Sequence, residues 1–166
     1  RDQETGLLIA LTRLPRGQGE GADASLIRAL AADFGFDGFD PLDCDMAADW
    51  SGQKPESLSA CGDQWRSNGD TVERLELFAR ALVSGDAQLP TAMSTSAEVL
   101  VFINEQLRGI VASCGDQELA GLAAGLDGRF VAPGSSGAPT RGRLDVLPTG
   151  RNFYSVDVRS VPTPAA

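Results

Sequence analysis

Between Ala132 and Gly150, seven of nineteen residues are glycine (134, 137, 142, 150) or proline (133, 139, 148). Regular helix is excluded at that density. Each proline lacks a backbone donor, and each glycine raises the entropy cost of ordering. The chain therefore divides into residues 1–131, which can be helical, and residues 132–166, a Gly/Pro/Arg-rich loop segment of the same domain. Phe153 to Val156 can form a short strand within that segment. The fold class expected is mainly α.

Start and stop signals mark the helices. Over 70–84, Asp70 can cap the first turn, Glu73 can reach back to it, and Gly85 supplies a left-handed terminus. Val72, Leu75, Phe78, Ala79 and Leu82 then share one face. A second helix is predicted from Thr95, with Glu98 as reciprocal cap, to about Ser113, ended by Gly115. Apolar on several sides, it should be the most buried element. Asp116 would open a third, to Leu126, with Leu119, Leu122 and Ala123 inward and Gly128 beyond its end. Near the start, Asp23 or Ser25 opens a helix bearing Leu26, Ile27, Leu30 and Phe34, closed by Gly35. Residues 3–14 favour helix, ended by Pro15, over a buried strand. The stretches 15–23 and 36–68 read as loops, and the length of the second points to function or to contacts with something outside the chain.

Charge narrows the possible partners. Residues 1–126 carry 9 basic and 20 acidic side chains, and residues 127–166 carry 5 basic and 3 acidic. The net charge of −9 argues against nucleic acid or an anionic membrane as the main partner. No apolar run approaches the roughly 20 residues of a membrane helix. Leu7 to Leu11 follows Asp2 and Glu4 and is no signal peptide. A cytoplasmic location is the default. The chain begins at Arg1, which suggests that the true N-terminus lies upstream. Cys44, Cys61 and Cys114 lack CxxC spacing and histidine is absent. Free thiols are therefore expected, and no structural zinc site or histidine-based triad.

The richest chemistry lies in Gly134–Arg143 and the following Leu147–Asn152. Glycines let the backbone approach a ligand, prolines fix the path, and Arg141, Arg143 and Arg151 offer planar forks for carboxylates or phosphates. Asn152 can donate and accept amide-like hydrogen bonds. Such a loop suits an anionic ligand with several carboxylate or amide arms. Alternatively, the arginines pair with Asp145 and Asp157, and Asn152 caps a turn. The loop has neither Walker A spacing nor a preceding strand for a dinucleotide fingerprint. Asp37, Asp40, Asp43, Asp45 and Asp49 match no calcium loop and read as a solvated acidic stretch. Trp50 and Trp65 read as core or lid aromatics. No nucleophile–base pair is visible, so no catalytic residue is assigned.

Three stretches carry a resemblance: "LTRLPRGQGEGADASLIRALAADFGF", "GDTVERLELFARALV" and, most specifically, "GLDGRFVAPGSSGAPTRGRLDVLPTGRNFYSVDVRSVPTPAA". They resemble the large subunit of aerobic ATP-dependent cobaltochelatase and, more distantly, the porphyrin-binding subunit of magnesium chelatase. Ser135 departs from the family pattern, where proline is expected. The resemblance implies cobalamin biosynthesis: Co²⁺ inserted into hydrogenobyrinic acid a,c-diamide, with ATP and Mg²⁺ on separate AAA+ subunits. It implies that Arg141, Arg143, Arg151 and Asn152 line or support the tetrapyrrole site. The partners implied are the remainder of the large subunit, the ATPase subunits and the corrinoid precursor. Family members are far longer, and the His- and Glu-bearing motifs of their metal-insertion site do not occur here. The chain is thus expected to be a piece truncated at its C-terminus and inactive alone. The alternative implied role is an interaction module that docks other domains or the ATPase subunits without touching substrate.

Overall fold

Thr5, Leu8, Leu11 and Thr12 recur at helical spacing and are all buried, so the first segment is a helix, α1 (Asp2–Thr12). It stops at Thr12, whose hydroxyl turns back to donate to the Leu8 carbonyl at 2.8 Å. The computed structural model describes residues 2–13, 25–62 and 64–153. Leu14, the whole 15–23 loop with Pro15 and the alternative cap Asp23, Asp157 and the strand residues Tyr154 to Val156 lie outside the described residues. Helix α2 (Leu26–Asp33) begins after Ser25, buries Leu26, Ile27 and Leu30, and leads into Gly35 at φ 70°, as its sequence predicts. A single-turn helix, α3 (Glu56–Ser59), interrupts the 36–68 loop.

The central helix is α4 (Asn68–Ser84). It starts two residues earlier than predicted. Ser67 is the cap and Asp70 the reciprocal partner: Ser67 Oγ accepts from the Asp70 N–H at 3.1 Å, and the Asp70 carboxylate accepts from the Ser67 N–H at 3.0 Å. The backbone N–H groups of Arg66 and Ser67 hold the Asp70 carboxyl below its ordinary range. Glu73 has no part in the cap. Val72, Leu75, Phe78, Ala79 and Leu82 are all buried, and Gly85 closes the helix at φ 83°. Helices α1 and α2 both pack on α4. The loop between α2 and α4 is held by aromatics. Trp50 sits 4.9 Å from Phe36 and 5.0 Å from Phe39, and Trp65 donates to Thr71 Oγ1 at 2.7 Å. Both tryptophans therefore belong to this packing.

The second half departs further from expectation. Helix α5 (Ser94–Phe102) passes through a π-helical turn at Ile103–Leu107 into α6 (Arg108–Leu126) without a break. Its start is not capped by Thr95 and Glu98. Asp33, at the end of α2, accepts from the backbone N–H groups of Ser96 at 2.7 Å and Thr95 at 3.4 Å. Burial pushes the Asp33 carboxyl up, but the hydrogen bonds from Ser96 and Thr95 outweigh it and leave the group below its ordinary value. Gly115 is an interior residue that keeps negative φ, and Asp116 caps nothing. The left-handed exit lies at Gly128, φ 70°.

The second helix is also not the most buried element. Only Ser96, Val99, Ile103 and Leu107 are buried along α5 and the π turn, and α6 buries no residue fully. Leu119, Leu122 and Ala123 face outward, because no described element covers that side. One guanidinium ties this long helix back: Arg108 pairs with Glu4 of α1 at 2.6 Å and donates to the Val83 carbonyl at 3.0 Å.

Leu75→Ala, at a fully buried position, is expected to cost about 2–5 kcal/mol in urea unfolding of the chain. Asp33→Ala should cost about 1 kcal/mol, as lost helix caps do. Because the folded Asp33 pKa is depressed, its contribution is present above about pH 4 and lost as pH falls through that range. The parent should therefore lose more stability on acidification than Asp33→Ala, and parallel pH profiles would contradict the cap.

Candidate functional site

Among the described residues, the segment after α6 contains no α-helix, as its composition requires. It runs through β1 (Pro133–Gly134), 3-10 turns at Pro139–Arg141 and Leu144–Val146, and β2 (Asn152–Phe153). The strands are two residues each and parallel, pairing Pro133 with Asn152 and Gly134 with Phe153. The Asn152 N–H also donates to the Ala132 carbonyl at 2.9 Å. The predicted strand thus begins one residue early, at Asn152.

What fixes this segment is a glycine pair. Gly121 of α6 lies directly beneath the Gly150 carbonyl, and Gly150 lies against the backbone of Gln117 and Glu118. A Cβ on either residue would fall inside van der Waals contact with main-chain atoms, which cannot swing aside. Gly150 also adopts φ 92°. Beside this contact, Thr149 Oγ1 donates to the Glu118 carboxylate. The stem of Arg151 lies over Gly134, where a Cβ would stand 2.6 Å from Arg151 Cδ. Three small residues therefore determine where the arginine goes.

The junction borders an open cleft of about 690 Å³, within the range typical of ligand sites. Helix α6 supplies Glu118, Gly121 and Leu122, the chain after it supplies Arg129, Phe130 and Val131, and the loop supplies Thr149 to Asn152. Of the four residues singled out in the sequence, Arg151 and Asn152 line this cleft. Arg141 and Arg143 do not. Arg141 is exposed at the end of a 3-10 turn, and Arg143 forms a fork with Asp145 at 2.8 and 2.9 Å. The hydrogen bond from Arg143 holds the Asp145 carboxyl down at about 2, with the Ser135 hydroxyl assisting. Arg129, Phe130 and Glu118 were not singled out in the sequence. The available signal was the helix stop at Gly128, which sets Arg129 and Phe130 immediately outside α6.

The acidic loop makes no comparable cluster. Asp40 pairs with Arg28, and Asp45 accepts from the Ala47 N–H. Among the described residues no group of three or more His, Cys, Asp or Glu could hold a metal ion. The three cysteines are free thiols. No helix of the described residues is long and apolar enough to cross a membrane.

The chain belongs to the CobN/Magnesium Chelatase family, whose model matches residues 1–166. In particular, it is 52% identical to the aerobic cobaltochelatase subunit CobN of Sinorhizobium sp over 98% of its own length and 14% of the relative. It is 53% identical to the CobN subunit of Pseudomonas aeruginosa over 96% of its length and 13% of the relative. The chloroplastic magnesium-chelatase subunit ChlH of Oryza sativa matches 41% of the chain at 43% identity, over 5% of the relative. The chain thus spans about one seventh of the cobaltochelatase subunits it matches. No solved structure matches it.

Gly121→Val should lift the loop from α6, read as faster hydrogen exchange at the Asn152 amide while α4 amides stay protected. Carboxyl chemical shifts should give Asp145 a midpoint of about 2, moving to about 4 in Arg143→Ala. The pair's contribution is thus present above about pH 4 and lost as pH falls toward the folded value.

Proposed function

We propose that the chain is the part of a cobaltochelatase large subunit that contributes Arg151 and Asn152 to the tetrapyrrole site. The observation that carries this reading is the Gly121–Gly150 contact, which directs the Arg151 fork and the Asn152 amide to one cleft wall. The names of its relatives, cobaltochelatase and magnesium-chelatase subunits, support a role in metal insertion, and the corrinoid is what the sequence resemblance implies. The substrate is hydrogenobyrinic acid a,c-diamide, the metal inserted is Co²⁺, and ATP is hydrolysed with Mg²⁺ on partner AAA+ subunits in the cytoplasm. A carboxylate- and amide-fringed macrocycle matches a guanidinium beside an amide, because charge-assisted bidentate bonds reward planar complementarity. Arg143 supports the loop through its fork with Asp145. Removal of the pyrrolic protons needs a base, and this chain alone is not expected to chelate cobalt.

A second reading has its own support. Leu119 and Leu126 of α6 are 68% and 81% exposed. An apolar strip of that kind suits docking of the remainder of the subunit or of the ATPase subunits.

In the full-length large subunit, Arg151→Ala should raise the Kd for the precursor about tenfold or more, followed by quenching of protein fluorescence. Unchanged binding and chelation would remove the ligand role. Lower Tm or weaker subunit assembly with normal affinity would instead support docking.

A further inference from the structure

Phe130 is the most exposed large apolar side chain among the described residues, at 85%. It follows the stop of α6 at Gly128 directly and lines the cleft that Arg151 and Asn152 border. Leu122, 61% exposed, stands on the same wall. Apolar surface is usually turned inward, and where it stays exposed with a polar rim it marks a binding groove. The rim here is cationic. Arg129 joins Arg151 in lining the cleft, and its ion pair with Asp127, 3.2 Å between two mostly exposed side chains, is of the weak, exchangeable kind. The cleft's carboxylate is already engaged, since Glu118 accepts from Thr149.

We propose that Arg129 and Phe130 are substrate-binding residues of this cleft, with Phe130 as a stacking face and Arg129 as a second carboxylate clamp opposite Arg151. The ligand class so defined is a flat macrocycle fringed with carboxylates. An aromatic face recognises the ring irrespective of its charge, whereas paired guanidiniums recognise only the anionic fringe. The assignment rests on the reading in which the cleft takes the tetrapyrrole, and it adds the residues that select for shape and charge.

The test uses the full-length large subunit and two porphyrins of equal ring size, one a tetracarboxylate and one a tetracation. Affinities are read by fluorescence quenching, with Tm as a control. Phe130→Ala should weaken both ligands about tenfold with Tm unchanged, and Phe130→Tyr should restore binding. Arg129→Ala should weaken the tetracarboxylate about tenfold and leave the tetracation unchanged or tighter. If Arg151→Ala weakens the tetracarboxylate while Arg129→Ala and Phe130→Ala match the parent, the cleft reading stands and this assignment fails. If all three variants bind as the parent does, both fail. A fall in Tm or loss of assembly in Phe130→Ala with unchanged affinities would make Phe130 a packing contact and overturn the proposal.

Discussion

The candidate site depends on the contact between Gly121 and Gly150. Backbone against backbone is possible there only because neither residue has a Cβ. From that contact the remaining geometry propagates. Thr149 reaches Glu118, the Asn152 N–H reaches the Ala132 carbonyl, and Arg151 lies along Gly134. A segment with two-residue strands has little cohesion of its own. Its shape is borrowed from the helix it rests on.

That helix buries no residue fully, although Val111 packs against the core. Its N-terminal half is anchored by Asp33 at the start of α5, by buried Ile103 and Leu107, and by Arg108 reaching Glu4 and Val83. Beyond Gly115 one face carries the Gly150 segment and the side bearing Leu119 is exposed, and this brings Glu118, Gly121 and Leu122 to the cleft. A helix broken at Gly115, as its sequence suggests, would have folded those residues back and removed the wall. The same path leaves Leu119, Leu126 and Phe130 uncovered. The proposed substrate-binding and docking surfaces therefore lie on one helix.

The parts of the fold legible in the sequence are those fixed by neighbours along the chain. The inward face of α4, its glycine stop and the exclusion of helix from 132–150 follow from period and from proline and glycine chemistry. Ser67 was missed because Asp70 and Glu73 mimic the same box three residues further on. The cap of α5 could not be read locally at all, since Asp33 lies over sixty residues away. In the site, the Arg/Gly loop was conspicuous, but its four candidates looked equivalent. Two line the cleft, one is tied to Asp145, and one is exposed at a turn. Arg129 and Phe130 lie inside the most specific resembling stretch, but their residue types carry no local signal of a site beyond the helix stop at Gly128.

The sequence alone determined that the chain is mainly helical, that it ends in a Gly/Pro-rich segment, and that it resembles the chelatase large subunits. Those properties reside in local propensity and in matched runs of residues. Tertiary structure decided which arginines share a cleft and which helix carries them. That choice rests on contacts between residues about thirty apart, where a missing Cβ matters only once the two backbones meet.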